Sequence, residues 1–326
     1  MKQIWLYVLL LLLSLAFSPT CACADTNDEM VGTIRYAVRL LGIRHNSYLD
    51  DQGQKAGLSF GPAIGENYLN SYRAHLRPEE HTAENPCLHY MSWEEIAAQS
   101  LRDPELLRPC LEYGCTHTVV LTARSPLFEA GQSGLTGDGA SALSHRIGYS
   151  YLRWNREYNC EGGWPASRVR ATLNGKDERT DLTLAGEDCL TAANCLFSCF
   201  PPELRERIVP AAVVTDLSYD TKDRSNCVVT YDRLFLLSAC EMHGSISRAK
   251  PGEGQHYEAL CLQPSKTGSL QREYRFFSES GDTVWAWLRS SSDRTDVMNY
   301  TILGPGHRVD GVIYNHYALA PAFCLP

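Results

Sequence analysis

Two Cys-x-His pairs are the residues whose types and spacing best suit metal chemistry in this sequence. Cys87 and His89 form the first pair and Cys115 and His117 form the second, with Cys110 between them. Two thiolates and two imidazoles complete a tetrahedral zinc site, although the spacing is not that of a standard finger or knuckle. In an oxidising compartment, a disulfide among Cys87, Cys110 and Cys115 is the stronger expectation. Structural zinc is the alternative, and no other cofactor is predicted.

A strand with two tryptophans and an arginine is the second candidate site. Trp285, Trp287 and Arg289 occupy alternate positions, so they share one face of an extended strand. In one interpretation the indoles pack in the core and Arg289 pairs with a carboxylate. In the other, the indoles form a platform for a sugar ring and Arg289 donates to its hydroxyls. The second interpretation requires at least one exposed indole.

The polar stretch from Ser291 to Asp310 is predicted to be a surface loop that joins the last two strands. Loops on a rigid frame often carry binding residues. The ordered calcium-binding signature of sugar-binding lectins is missing, so no calcium-dependent site is predicted. The candidate ligand-binding residues of this stretch are Asp293, Asn299, Tyr300, His307 and Arg308.

Enzyme signatures are absent from the sequence. The run from Gly131 to Gly134 lacks the spacing of a nucleophile elbow. There is also no His-Glu-x-x-His motif and no phosphate loop. An extracellular hydrolase or a cysteine-dependent oxidase is therefore the alternative to a binding protein.

The elements that must position these residues predict an α+β fold. A capping box at Ser92 begins a helix, Thr116 to Ala123 is a β-branched strand, and Pro165 to Leu173 is a short helix. Helical segments concentrate in the first two thirds of the chain and strands in the last third. This order predicts a mixed or antiparallel sheet with flanking short helices, rich in loops and stabilised by disulfides.

The N-terminus is typical of an export signal over residues 1–24. Lys2 precedes an apolar run from Ile4 to Phe17, and Ala22-Cys23-Ala24 fits the cleavage rule, so cleavage is expected after Ala24. Because no later segment has about 20 apolar residues, no transmembrane span is expected after signal removal. The protein is therefore predicted to be secreted or extracytoplasmic.

The cysteine count and the net charge indicate what kind of exported protein this is. Two of the 13 cysteines lie in the predicted signal, which leaves an odd number in the mature chain. An exported chain with so many thiols is expected to form disulfides. The net charge of −8 argues against a nucleic-acid partner, because phosphate contacts need clustered Lys and Arg.

Five blocks in order resemble the exported bacterial family catalogued as domain of unknown function 6273. The blocks are Gly163 to Ser167 with Arg170 and Asn174, Leu204 with Ile208, Tyr231 to Ser238 with Glu241, Trp287 to Ser290, and Pro321 to Leu325. By analogy, the ending resembles C-type-lectin-like domains of the formylglycine-enzyme and phage-tropism branch. The family's usual Arg-Ser-Pro is Arg289-Ser290-Ser291 here, so the following turn is expected to differ.

The resemblance implies one large domain over 25–326 and no catalytic residue. Residues 25–160 would form an N-terminal part with helices and a loop, and residues 161–326 a lectin-like core. The leading hypothesis is a secreted or cell-surface binding or display module that recognises an extracellular glycan or protein through the Ser291–Arg308 stretch. An extracellular enzyme is the first alternative, and a structural envelope protein is the second.

Overall fold

The computed structural model describes residues 30–48, 55–63, 77–124, 154, 162–175, 195–217, 227–244, 251–261, 276–277, 283–284, 286–291, 298–302, 308–312 and 318–326. The predicted signal peptide lies outside these ranges. Within them, no helix has the length and apolar character needed to cross a membrane. The described elements are short helices and antiparallel sheets, which confirms the α+β class in its coarse form.

A four-stranded antiparallel sheet combines strands from both ends of the chain. Its strands are β1 (Met30–Ile43), β2 (Leu58–Pro62), β3 (Thr116–Arg124) and β11 (Phe323–Leu325), in the order β11-β2-β1-β3. Strand β1 lies between β2 and β3, and from Tyr36 to Ile43 both of its faces are buried. Ile34, Tyr36, Val38 and Leu40 are each at most 2% exposed.

Three smaller antiparallel sheets complete the described strands. Strand β4 (Ala211–Asp216) pairs with β5 (Cys227–Asp232), and β6 (Phe276–Phe277) pairs with β7 (Thr283–Val284). A three-stranded meander follows in the order β10-β9-β8. Its strands are β8 (Ala286–Ser291), β9 (Met298–Ile302) and β10 (Arg308–Val312).

This meander corrects the predicted surface loop between Ser291 and Asp310. The stretch contains β9 and the first part of β10, which pair from Met298 opposite Val312 to Ile302 opposite Arg308. Its polar composition led to the loop prediction. Backbone pairing across an antiparallel hairpin tolerates that composition when only part of the sheet needs to be buried.

Seven short α-helices lie around the sheets. They are α1 (Trp93–Arg102), α2 (Arg108–Glu112), α3 (Gly163–Ala166), α4 (Arg168–Asn174), α5 (Pro202–Arg205), α6 (Ala239–His243) and α7 (Glu258–Cys261), counted over the described residues. The predicted capping box is present: the Ser92 hydroxyl accepts from the Glu95 backbone N–H, and the Glu95 carboxylate accepts from the Ser92 N–H at 2.7 Å. The predicted helix from Pro165 is interrupted at Ser167, whose extended backbone and side-chain oxygen begin α4.

The C-terminal segment lies beside the tryptophan-bearing strand, as the sequence predicts. The Trp287 N–H donates to the Ala318 carbonyl at 3.1 Å, and Ala286 bridges Ala318 in parallel. The segment then continues into β11, where Phe323 pairs with Phe60 and stacks on its ring at 5.4 Å. The tail thus joins the tryptophan strand to the main sheet.

The predicted disulfides are not formed in the part of the chain that the structure describes. Nine cysteines fall within it, and none lies at bonding distance from another. Most of them are buried, so these thiols act as small apolar core residues there. Cys160 and Cys189 lie outside the described residues.

Candidate functional site

Trp287 is buried in the interior and does not form part of a surface platform. Its side chain is 1% exposed, and its ring lies 5.6 Å from that of Trp154. Trp154 in turn lies 6.2 Å from Trp164, so three indoles form one core cluster at distances typical of aromatic pairs. This placement favours the core interpretation of the strand over the sugar-platform interpretation.

Arg289 is buried beside Trp287 and pairs with a carboxylate from helix α6. Its guanidinium donates to both carboxylate oxygens of Glu241, at 2.5 and 2.8 Å. It also donates to the carbonyls of Leu236 and Glu253. Burial alone would lower the pKa of Arg289, but the Glu241 charge and hydrogen bonds outweigh it and raise that pKa. Arg289 is therefore fixed as a cation inside the fold.

A second buried ion pair joins α4 to strand β5. The Arg170 Nε donates to Asp232 at 2.6 Å, and both side chains are at most 1% exposed. The Asp232 carboxylate also accepts from the Trp164 indole and the Thr230 hydroxyl. Burial raises the pKa of Asp232 despite these partners. This pair ties the three-indole cluster to the β4–β5 sheet.

The three cysteines of the predicted disulfide or zinc site lie together in the core. Hydrogen bonding with Cys110 and then Cys87, together with burial, raises the pKa of the Cys115 thiol. The Cys110 thiol also donates to the Pro86 carbonyl at 3.1 Å. All three side chains are at most 1% exposed. The three thiols thus lie close together and away from solvent.

The two histidines of the predicted zinc site do not complete a ligand set with these thiols. His89 is exposed, and its ring lies 5.1 Å from that of Tyr90. The His117 ring lies 4.5 Å from Trp93, and burial together with the nearby His89 lowers the pKa of His117 to about 4. Among the described residues, no group of three or more His, Cys, Asp or Glu side chains is arranged to hold a metal ion. The zinc alternative does not fit this geometry.

A cleft of about 410 Å³ lies between α1 and the segment that follows Pro78–Glu80. Its volume is within the range of small-ligand sites. The His81 Nδ1 accepts from the Cys87 N–H at 3.0 Å, which leaves Nε2 as the protonated nitrogen of the neutral ring. The lining combines polar and apolar side chains, among them His81, Met91, Glu95, Gln99, Arg102 and Leu107.

A comparison with known proteins gives the chain a family. Residues 138–326, more than half of the chain, match the family model described as Domain of unknown function (DUF6273). The chain belongs to this family. No curated protein and no solved structure matches it.

The motifs that resemble the DUF6273 family build the interior of the fold. Asn174 illustrates this role: its side chain donates to the Leu234 carbonyl at 2.7 Å and accepts from the Leu234 N–H at 2.9 Å. The other polar members are buried in the same way and include Trp164, Ser167, Arg170, Asp232, Glu241, Arg289 and Ser290. These residues therefore stabilise the interior of this chain and are not accessible to a ligand.

The remaining predicted ligand residues divide into two groups. Asn299 and Tyr300 lie in β9, and Arg308 begins β10, so the pairing of the meander brings their backbones into adjacent strands. Trp285, Asp293 and His307 lie outside the described residues. The meander is thus the part of the predicted site that the structure brings together.

Sequence analysis missed the cleft residues. None of His81, Glu95, Gln99 and Arg102 is among the ligand residues that the sequence predicts. A signal was available, because Glu95, Gln99 and Arg102 are spaced four and three residues apart and so share one face of α1. The approach of His81 to that face depends on the fold and leaves no local signal.

Proposed function

We propose that this DUF6273 protein is an exported binding module for an extracellular protein or glycan, with a C-type-lectin-like core. The signal-like N-terminus supports export. The proximity of the tail to the tryptophan strand supports the lectin analogy, since Ala286 bridges Ala318. The cleft at α1 is the observation that carries the binding function.

The chemistry of the cleft favours a polypeptide over a sugar. Met91 and Leu107 give it an apolar floor, and Leu106 at its edge is 43% exposed. Arg102 is exposed, and no described side chain forms an ion pair with it, so it is available to a carboxylate. Sugar recognition would call for an exposed aromatic platform, and no Trp, Tyr or Phe is among the residues that line this cleft. A peptide segment with an apolar side chain near an acidic group matches these features.

The β9–β10 hairpin is the alternative binding surface in this proposal. It contains three of the predicted ligand residues, Asn299, Tyr300 and Arg308, and extends from β8, which Trp287 and Arg289 fasten to the core. A rigid strand that leads into a short hairpin is a suitable base for a recognition surface. The hairpin is the alternative site if the cleft takes no ligand.

We propose further that export oxidises the three-thiol cluster. Cys115 is the shared member, because its buried thiol interacts with both Cys110 and Cys87. A disulfide therefore forms between Cys115 and one of these two cysteines, with electrons passing to a disulfide oxidant of the exporting compartment.

Arrays of defined extracellular proteins and of glycans, probed with the mature protein, test the binding function. Ala98→Trp fills the cleft from α1, and we expect it to weaken binding of the captured protein at least about tenfold. Leu101→Trp is the matched control, because Leu101 lies on the same helix, is 70% exposed and does not line the cleft. It should bind like the wild type.

Three outcomes would count against parts of this proposal. Equal loss of binding in both tryptophan variants would indicate a general disturbance of α1 instead of a cleft ligand. Binding that survives Ala98→Trp and disappears when residues 298–312 are replaced would move the site to the hairpin. A protein that binds no member of either array would contradict the binding function.

A further inference from the structure

A cysteine and a histidine outside every predicted site meet at the end of helix α7. The Cys261 Sγ lies 2.9 Å from the His256 Nδ1, and the Nε2 of the same ring lies 3.0 Å from the Met242 carbonyl. A carbonyl oxygen only accepts hydrogen bonds, so Nε2 carries the proton. In the neutral ring Nδ1 is then a base that accepts the proton of the thiol.

We propose that Cys261 and His256 form a nucleophilic dyad that accepts acyl groups from esters or thioesters. Three elements of an activated nucleophile are present: the thiol, a base within hydrogen-bond reach and a third group that orients the base. Here the orienting group is the Met242 carbonyl at the end of α6. The proposal is independent of ligand binding in the α1 cleft.

Cys261 is accessible to a substrate. It is exposed, whereas the other described cysteines are buried or, for Cys227, partly buried. Its side chain contacts His256, and no second thiol lies at bonding distance among the described cysteines. This favours attack on a carbonyl carbon over disulfide exchange with a resolving cysteine.

The supporting elements hold the dyad in place. Tyr257 is fully buried and donates from its hydroxyl to Asn46 at 2.8 Å. Glu258 pairs with Arg108 at 2.6 Å. The contacts of Tyr257 and Glu258 thus fix the start of the short helix α7. Fixed supporting residues reduce the reorganisation that a reaction requires.

Gly244 provides the space for the imidazole ring. It ends α6 with a φ of +71°, and a Cβ at this position would lie 3.0 Å from the His256 Nδ1. An alanine would be strained there and would press on the nitrogen that faces Cys261. The glycine at the end of α6 therefore serves the geometry of the dyad as well as the turn.

Acyl transfer to Cys261 requires neither an oxidant nor a metal. As the Cys261 sulfur attacks the carbonyl carbon, the thiol proton passes to the His256 Nδ1 and an S–C bond forms. The C–O or C–S bond of the substrate then breaks, and the leaving group takes the proton from the imidazolium. The acyl group remains on Cys261 as a thioester, which water or another nucleophile releases with regeneration of the thiol.

Acetylation by p-nitrophenyl acetate and alkylation by iodoacetamide test the dyad on the mature protein. We expect a burst of p-nitrophenol that approaches one equivalent, with the acetyl group mapped to the Cys261 peptide. Alkylation near pH 7 should modify Cys261 about ten times faster than it does in His256→Gln, because His256 accepts the thiol proton as the sulfur reacts. Cys261→Ser should abolish the burst, and Cys227→Ser should retain it.

The controls separate loss of the base from loss of the fold. An unfolded His256→Gln would expose the buried thiols, so their protection from iodoacetamide reports that the variant is folded. Gly244→Ala is a second variant that disturbs the ring and retains both reacting residues, and it should slow both reactions. Equal Cys261 reactivity in the wild type and the folded His256→Gln would overturn the proposal, as would a burst that maps to another residue.

Discussion

Arg289 and Glu241 form a two-point ion pair that is buried between strand β8 and helix α6. The two oxygens of Glu241 receive the guanidinium at 2.5 and 2.8 Å, and one of them also accepts from the Ser238 N–H that begins α6. A single carboxylate therefore caps a helix and neutralises a buried cation. The pair makes the position of β8 dependent on that of α6.

Removal of one partner of this pair should be strongly destabilising. Arg289→Met leaves the Glu241 charge buried, and we expect the free energy of unfolding in urea to fall by about 3–5 kcal/mol. The double variant Arg289→Met/Glu241→Leu removes both charges and should recover part of this loss. Arg77→Gln breaks exposed ion pairs and should leave the unfolding midpoint unchanged. A double variant less stable than Arg289→Met would contradict the view that the uncompensated Glu241 charge causes the loss of stability.

Stability should fall in mild acid because of His117. Burial and the charge of His89 hold the pKa of His117 at about 4, compared with 6.5 for an unperturbed histidine. Between these two values the unfolded chain binds a proton that the folded protein excludes. The contribution of His117 to the free energy of unfolding is therefore fully present above pH 6.5. It declines by on the order of 3 kcal/mol as the pH falls towards 4.

His117→Gln isolates this contribution. Urea unfolding at a series of pH values between 4 and 7 should show a shallower decline in the variant than in the wild type. His81→Gln is a control, since His81 accepts from the Cys87 backbone N–H and packs against the Tyr90 ring, whereas His117 packs against Trp93. Parallel pH profiles for wild type and His117→Gln would contradict the assignment.

Local sequence patterns predicted the helices and strands whose formation depends on residues close together in the sequence. The capping box at Ser92 and the β-branched run from Thr116 are determined within a few residues, and both elements form where expected. The contact between the tail and the tryptophan strand was also predictable, because the resemblance covers both segments. The helix and the strand follow from local sequence alone, whereas the tail contact followed from the family resemblance.

Other features depend on contacts between distant parts of the chain. Glu241 and Arg289 are 48 residues apart, and nothing local identifies them as partners. The meander was missed because its polar residues resemble a loop when their strand partners are unknown. The α1 cleft depends on where His81 lies, which the backbone contact with Cys87 determines.

Oxidation of the three-thiol cluster should involve Cys115 in every molecule that forms a disulfide there. The Cys115 thiol interacts with both Cys110 and Cys87, so we expect either pair to form, and each bond excludes the other. Peptide mapping of the exported protein without reduction should find Cys115 joined to Cys87 or Cys110. Cys115→Ser should abolish both bonds, whereas Cys110→Ser should direct all of the product to the Cys87–Cys115 bond. A Cys87–Cys110 bond would contradict this assignment, because Cys115 would then not take part. One stoichiometric zinc whose removal by chelator unfolds the protein would also contradict it, because the thiols would then be metal ligands.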